Sequence, residues 1–286
     1  MSWNETDREK YAVIRERYAT DLSDEEFALV APLLPSPKRV GRKPTDPRAI
    51  LNALFYLVRA GCPWRLLPKS FPPFSTVQNR FYAWRDSGLW EQIVCVLVMA
   101  VREAEGKRAA PTVAIVDSQS VKTTEAGGVR GYDAGKKIKG RKRHLITDTL
   151  GLVLAILVTA ANVHDTTGGK LLLDDLAAAH PSVSKVWADG GYQNSIFNHG
   201  AALGIDVEVV QRPRAKGFEP LPKRWVIERT FGWLMQHRRL TRDYEALPQR
   251  SRTMIHWAMA NKMSRELTGE SAPTWRIETD IPLATA

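Results

Sequence analysis

The chain has 286 residues, a formal net charge of +10 and a pI near 9.7, so we expect a polyanionic partner. This length permits two domains with their own cores, and 44% hydrophobic with 25% charged residues excludes wholesale disorder. The polar segment Met1–Lys10 argues against a signal peptide. The apolar runs are too short to cross a bilayer, and the two observations together favour a cytoplasmic protein.

The first part of the chain has the start and stop signals of helices. Ser23 and Glu26 have the spacing of a capping box, which predicts a helix start. Asp46 and Pro47 predict the start of a second helix, and Gly61 marks its end. We therefore expect residues 1–105 to form an all-α domain.

A third helix is predicted from Ser75 or Thr76 through Asp86, after a short turn, which gives a helix-turn-helix outline. Its polar side chains are of the types that read base edges in the major groove. They are Gln78, Asn79, Arg80 and Arg85. A small helical bundle with a polar outer face and an aromatic core explains the same residues equally well.

Beyond residue 105 the patterns alternate between strand and helix. Strands are predicted at 113–116, 144–148, 153–159, 185–188 and 206–210, and helices at 169–179, 192–203 and 254–267. Residues 211–221 are predicted to be a basic loop, and residues 269–286 a flexible tail. We expect a mixed α/β domain over residues 106–268.

Carboxylates occur at three informative places in this second domain. Asp117 follows the first strand, Asp189 follows the strand at 185–188, and Glu228 borders a helical apolar stripe. Ligands of open α/β sheets bind beyond the carboxyl ends of strands, so the three acids are expected to converge. Such a cluster is unfavourable without cations and suits two Mg²⁺ ions about 3.5–4 Å apart.

Each acid taken alone is better explained as a structural turn residue or helix cap than as a catalytic group, so the prediction depends on all three together. Asp165 follows another predicted strand, directly after His164, and for it a turn role is favoured over a place beside the site.

Positive charge is concentrated around these acids. Between Val121 and His144 there are eight Lys or Arg residues against two acids. A solvated loop explains such a run, but the local excess favours a clamp on DNA phosphates. The predicted contacts here are Lys122, Lys136, Lys137, Lys139, Arg141, Lys142 and Arg143. Further contacts are expected near Glu228, at Trp225, Arg229, Arg238 and Arg239.

Several motifs resemble bacterial insertion-sequence transposases of the DDE type, closest to the large IS-five group. The similar runs are IVDSQSVKTT (115–124), GYDAGKK (131–137), KGRKRH (139–144), ADGGY (188–192) and WVIERTFGW (225–233). The resemblance extends from about Leu22 to Lys262. One departure is Met235, since related transposases often carry a lysine at that position, seven residues after the glutamate.

The resemblance implies an RNase H-like catalytic fold and an Asp-Asp-Glu triad, which falls on Asp117, Asp189 and Glu228. It also implies two Mg²⁺ ions, with Mn²⁺ as a substitute, and double-stranded DNA partners in the form of terminal inverted repeats and target DNA. A homodimer or larger assembly on DNA and association with the nucleoid are expected. The activity implied is cleavage of phosphodiester bonds at transposon ends and their joining to target DNA.

Two alternatives remain open. One is an RNase H-like nuclease without strand transfer, and the other is a captured transposase that acts only as a DNA-binding protein. The intact Asp-Asp-Glu set argues against the second alternative. The N-terminal helical module and the basic run favour an active transposase over a minimal nuclease.

Overall fold

The computed structural model describes residues 18–36, 44–125, 128–192, 195–210 and 225–270. Within these ranges the N-terminal helices are α1 (Asp24–Val30), α2 (Pro47–Ala60), α3 (Phe74–Asp86) and α4 (Leu89–Ala104). The strands are β1 (Val113–Lys122), β2 (Gly131–Asp133), β3 (Ile138–Asp148), β4 (Val153–Ala160), β5 (Lys185–Ala188) and β6 (Asp206–Val209). The later helices are α5 (Asp165–Ala179), α6 (Ser195–Ala202), α7 (Trp225–Met235) and α8 (Pro248–Thr268).

The first two helix starts read from the sequence are confirmed, whereas α5 and α8 begin earlier than predicted, at Asp165 and Pro248. The Ser23 hydroxyl accepts from the Glu26 amide at 3.1 Å, and the Glu26 carboxylate accepts from the Ser23 amide at 2.9 Å, which completes the capping box. Asp46 caps α2, and Gly61 ends it in the left-handed conformation with φ of 73°. A one-turn helix lies between α2 and α3, so the helix-turn-helix outline is present, although α3 begins slightly earlier than predicted, at Phe74.

A mixed sheet forms the centre of the second part of the chain. β1 pairs antiparallel with β3 and parallel with β5, and β6 continues the sheet parallel to β5. On the other side, β3 pairs with β2 over its first residues and with β4 over the rest. The two paired strands β1 and β3 extend well past the end of β5, so one end of the sheet is a long antiparallel arm.

Helices cover both faces of this sheet. On one face Ile115 and Leu145 belong to a cluster that includes Ile227 of α7 and Trp257 of α8. On the other face Val116 packs with residues of α5 and α6. Alternate residues of β1 therefore face opposite cores, as the pleat of a strand buried on both sides requires.

The N-terminal helices share a core with the second part of the chain. Phe55 of α2 packs edge-on against Trp257 of α8 with ring centroids 5.1 Å apart, and both side chains are buried. Arg102 of α4 forms a buried ion pair with Asp148 at the end of β3. This packing joins the two parts; the boundary at residue 105 remains a prediction. None of the helices in the described ranges is long and apolar enough to cross a membrane.

The sequence misplaced two strand boundaries. β1 continues to Lys122, so Asp117 lies inside a strand and not after its end. β3 starts at Ile138, six residues before the predicted start at His144, so most of the basic run ahead of His144 is a strand. The predicted basic loop at 211–221 and the tail beyond residue 270 lie outside the described residues.

Candidate active site

Asp117 and Asp189 lie at matching positions on neighbouring strands. The parallel pairing of β1 and β5 ends with Ile115 opposite Trp187. Each aspartate is two residues further on, with Asp117 still inside β1 and Asp189 directly after the end of β5, so the two lie at the same end of the paired region. Ile115 and Trp187 pack against the cluster that contains α7, so their face of the sheet is the one that α7 covers.

Short hydrogen bonds fix both aspartates. Asp117 Oδ1 accepts from the Ser118 amide at 2.7 Å. Asp189 Oδ1 accepts from the Gly191 amide at 2.8 Å, which makes a tight turn where β5 ends. Both carboxylates are half-buried, so each is oriented by the protein while it stays accessible.

Glu228 is carried by α7 over the same face. The predicted stripe is confirmed, because Ile227, Phe231 and Leu234 are all buried. Glu228 itself is exposed. Arg229 fixes the helix through two kinds of contact. Its guanidinium lies over the Trp225 and Trp233 rings, 4.5 and 4.7 Å from their centroids. It also donates to the Leu150 carbonyl, in the turn between β3 and β4, at 2.8 Å.

The three predicted ligands do not form a closed metal site in this structure. Among the described residues, no three His, Cys, Asp or Glu side chains are close enough together to hold a metal ion. The oxygen donors Asp117 and Asp189 nevertheless fit Mg²⁺, which prefers carboxylates and keeps several waters. Glu228 lies on α7, the helix that packs over this sheet, and its side chain is exposed.

A fourth carboxylate, Asp165, lies beside this pair. Asp165 is the first residue of α5, and its Oδ1 accepts from Ser118 Oγ at 2.7 Å. Lys142 Nζ is 3.0 Å from the same oxygen and 3.6 Å from Asp133. Burial raises the pKa of Asp165, but the bonds from Ser118 and Lys142 and the charges of Lys142 and Lys136 outweigh it and hold the pKa below its usual range.

The same network includes Lys136. Its Nζ donates to the Ser118 carbonyl at 2.9 Å, while its amide donates to Asp133 Oδ1 at 3.0 Å. Asp133 also accepts from Ser120 Oγ at 2.5 Å. These contacts tie the β2–β3 hairpin to β1 directly beside Asp117.

The structure corrects the predicted phosphate clamp. Arg141, Lys142 and Arg143 are buried on β3, so the prediction of DNA contacts is wrong for these three. Arg141 pairs with Asp243 at 3.0 Å, and Arg143 donates to the Leu240 carbonyl at 2.8 Å. Burial lowers the pKa of Arg143 to about 10, opposed by the charge of Asp243.

Other cations of the run are on the surface. Lys136, Lys137 and Lys139 are exposed, as is Lys122. Lys122, Lys137 and Lys139 line one open pocket together with the half-buried Arg130 and the exposed Tyr132. This basic pocket lies on the antiparallel arm, where Lys122 is five residues beyond Asp117 along β1.

The two arginines downstream of Glu228 differ. Arg239 is buried, where it donates to Glu245 at 2.8 Å and to the Cys62 carbonyl at 2.7 Å. The prediction of a DNA contact is therefore wrong for Arg239, which instead ties α2 to the chain after α7. Arg238 is exposed.

The polar face of α3 is partly available. Asn79 and Arg80 are exposed and Gln78 is half-buried, whereas Val77 and Phe81 are buried in the core. Arg85 is engaged with Asp86 at 2.7 Å. The side chains that could read bases are therefore Asn79 and Arg80, with Gln78 beside them.

Sequence reasoning undervalued Asp165 and misread Lys142. For Asp165 a signal was present, since it lies in the short segment that leaves β4, which ends at Ala160. For Lys142 the neighbouring sequence could not show whether the lysine is a buried partner of an acid or an exposed contact for DNA phosphates, because its partner Asp165 is 23 residues away.

The second part of the chain is an RNase H-like domain, which confirms the predicted fold class. It has a mixed sheet with β1 at its centre and helices on both faces, with aspartates in β1 and directly after β5. The family model "Transposase DDE domain" matches residues 108–261, more than half of the chain, and the chain belongs to this family. A second model, "Putative transposase of IS4/5 family", matches residues 22–94.

The curated relatives that match this chain are also proteins of insertion sequences. The chain is 36% identical over 116 residues to "Putative transposase for insertion sequence element IS402" of Burkholderia cepacia, a match that covers 37% of this chain and 54% of that protein. It is 33% identical to "Insertion element IS402 uncharacterized 16.2 kDa protein" of the same organism, over 37% of this chain and 76% of that protein. The chain thus spans about half the length of the first relative.

Proposed function

We propose that the protein is a DDE transposase that cuts phosphodiester bonds at the ends of an insertion sequence and joins them to target DNA. Two observations support the proposal: Asp117 and Asp189 each lie two residues beyond the last paired residues of two parallel strands, Ile115 and Trp187, and the family model matches. The family implies dependence on a divalent metal, and we take Mg²⁺ as that metal, with Mn²⁺ as a substitute.

Asp117, Asp189 and Glu228 would hold the metal ions. When bound, such ions lower the pKa of an attacking water and stabilise the leaving oxygen in an in-line displacement. The chain itself orients the ligands: Ser118 and Gly191 fix the two aspartates through backbone amides. Arg229, clamped by two tryptophans, fixes the helix that bears Glu228.

DNA is proposed to contact two surfaces. The first is the exposed face of α3, where Asn79 and Arg80 can reach base edges. The second is the basic pocket of Lys122, Lys137 and Lys139, with the exposed Trp225 on the α7 side. Because an element has two ends, we also propose that at least two copies assemble on DNA.

The test is an assay with purified full-length protein and DNA duplexes that carry the inverted repeats flanking its gene. The proposal expects Mg²⁺-dependent cuts at the repeat ends and joining of the cut ends to a target plasmid. Cleavage without joining would favour a nuclease. Specific binding without cleavage would favour a captured DNA-binding protein.

A further inference from the structure

We propose that Ser118 is a positioning residue of the active site, which holds the Asp117 carboxylate in the orientation that metal binding requires. The inference rests on the proposed function, because it assumes that Asp117 binds a divalent metal. In this proposal Ser118 acts through Asp117 and does not itself bind the metal.

Ser118 lies in a stretch of β1 that extends past β5 on one edge. Before this stretch, the Thr112 carbonyl accepts from the Ser184 amide, directly ahead of β5, at 3.0 Å. After it, the Lys122 carbonyl accepts from the Asp243 amide at 2.9 Å. Both carbonyls therefore lie on the edge of β1 that faces away from β3. Because backbone groups alternate between the two edges of a strand, Ser118, an even number of residues from both, directs its amide and carbonyl to this same edge. The pairing with β5 ends three residues before Ser118.

Side chains take the place of a strand partner at Ser118. Its amide donates to Asp117 Oδ1 at 2.7 Å, and its carbonyl accepts from Lys136 Nζ at 2.9 Å. Ser118 is buried, and buried backbone groups need such partners. The amide of Ser118 therefore fixes one oxygen of the Asp117 carboxylate at the place where the sheet leaves this edge to side chains.

The Ser118 hydroxyl holds this peptide from the opposite face of the sheet. Side chains alternate along β1, so the hydroxyl points away from the face that carries Asp117. It donates to Asp165 Oδ1 at 2.7 Å, at the first residue of α5. The same oxygen is 3.0 Å from Nζ of the buried Lys142, so the acceptor is itself held in place. The bond to Asp165 thus keeps the Ser118 amide directed at Asp117.

The competing explanation is that the Ser118 hydroxyl makes one more buried hydrogen bond, which stabilises the fold and has no effect on the site. Ser120 separates the two explanations. It is as buried as Ser118, at 7% exposure, and lies on the same face of β1. Its hydroxyl also donates to a buried acid, Asp133, at 2.5 Å. Ser120→Ala therefore removes the same kind of bond two residues away from the peptide that contacts Asp117.

The experiment titrates Mn²⁺ into the full-length protein without DNA and follows the free ion by electron paramagnetic resonance. We expect Ser118→Ala to weaken Mn²⁺ binding by about tenfold, because loss of a group that orients a metal ligand commonly costs this much. Ser118→Thr keeps the hydroxyl and should bind Mn²⁺ like the parent. Ser120→Ala should also bind Mn²⁺ like the parent, although urea unfolding should show a similar loss of stability in both alanine variants.

An unchanged Mn²⁺ affinity in Ser118→Ala, with a clear loss in Asp117→Asn, would overturn the inference and keep the proposed function. Equal losses in Ser118→Ala and Ser120→Ala would also overturn it, because they would show a general effect of destabilisation. An unchanged Mn²⁺ affinity in Asp117→Asn would overturn Asp117 as a metal ligand, and this inference with it.

If Ser118→Ala fails to fold, Ser118→Cys takes its place, because a thiol fills a similar space and is only a weak donor. Ser118→Cys must then bind Mn²⁺ more weakly than Ser118→Thr. Equal affinity of these two folded variants would reject the role of the hydroxyl in positioning Asp117.

Discussion

Asp117 on β1 and Asp189 after β5 occupy equivalent positions, each two residues beyond the last paired residues of two parallel strands, Ile115 and Trp187. Because side chains alternate along a strand, Asp117 is on the same face as Ile115, the face covered by α7, and Asp189 follows directly after β5. Asp117 and Asp189 are 72 residues apart in the sequence. The parallel pairing of β1 with β5 explains how two such distant acids can serve one reaction.

Base reading by α3 is tested with full-length variants, since the N-terminal helices share their core with α8. Asn79→Ala and Arg80→Ala should lower affinity for the terminal repeats by about 1–3 kcal/mol each and relax sequence preference. Lys69→Ala, an exposed cation before α3, is the control and should affect all duplexes alike. Fluorescence anisotropy with repeat and scrambled duplexes measures both effects. Unchanged discrimination in the α3 variants would show that sequence is read elsewhere.

The basic pocket is tested by changing Lys122, Lys137 and Lys139 together to Ala. Binding to every duplex should weaken, and the slope of log affinity against log salt should become shallower by roughly 0.9 for each lost phosphate contact. The measurement is affinity from low to moderate salt. A control with Lys107→Ala and Arg108→Ala removes exposed charge elsewhere. If the triple variant kept the parental slope and the control did not, the DNA path would run elsewhere.

The buried pair of Arg141 and Asp243 should contribute to stability and not to DNA binding. Both side chains are fully buried, and Arg141 also donates to the carbonyls of Glu245 and Ala246 at 2.7 and 2.9 Å. Asp243→Ala leaves a buried guanidinium without its counterion and should cost about 3–5 kcal/mol of unfolding free energy. Urea unfolding measures this, and Asp206→Ala, which breaks an exposed pair with Lys185, should have little effect. A stable Asp243→Ala protein with weakened DNA binding would restore the clamp hypothesis for Arg141.

Stability should fall as the solution becomes acidic because of buried histidines. Burial, with the charge of Arg252, lowers the pKa of His256 to about 3, while the unfolded value is near 6.5. Glu91 also faces this ring, 3.7 Å from Nδ1. Between these values the unfolded chain binds more protons, so the stabilising contribution present above about pH 6.5 is lost progressively towards pH 3.

His256→Gln should therefore flatten the fall in unfolding free energy between pH 7.5 and 5, by up to about 1.4 kcal/mol per pH unit. His237 and His144 act in the same direction, since burial lowers the pKa of each to about 4, so some slope will remain. The control is His199→Gln, which changes a half-buried ring that contacts Asp174 at 2.8 Å. An unchanged slope in His256→Gln would mean that this ring is accessible to protons in the folded protein.

Local chemistry was readable from the sequence, and long-range pairing was not. The capping box of Ser23 and Glu26 and the stripe of Ile227 are set by neighbouring residues, so their positions were predicted correctly. The burial of Arg141 depends on Asp243, which is 102 residues away. The residues around Arg141 in the sequence do not predict such a partner. The extension of β3 likewise follows from its pairing with β1, which overrides the polar composition of the segment.

The central claim is that Asp117, Asp189 and Glu228 form one metal-dependent site for cutting DNA. Cleavage of repeat-bearing duplexes in Mg²⁺ tests it most directly, with binding to the same duplexes measured in parallel. Asp117→Asn, Asp189→Asn and Glu228→Gln should each reduce cleavage by several orders of magnitude and leave duplex affinity within a few-fold of the parent. Asp175→Asn and Glu103→Gln, which change exposed acids on α5 and α4, should cleave normally. Near-parental cleavage by any of the first three variants would contradict the assignment of that residue and the account of the site built on it.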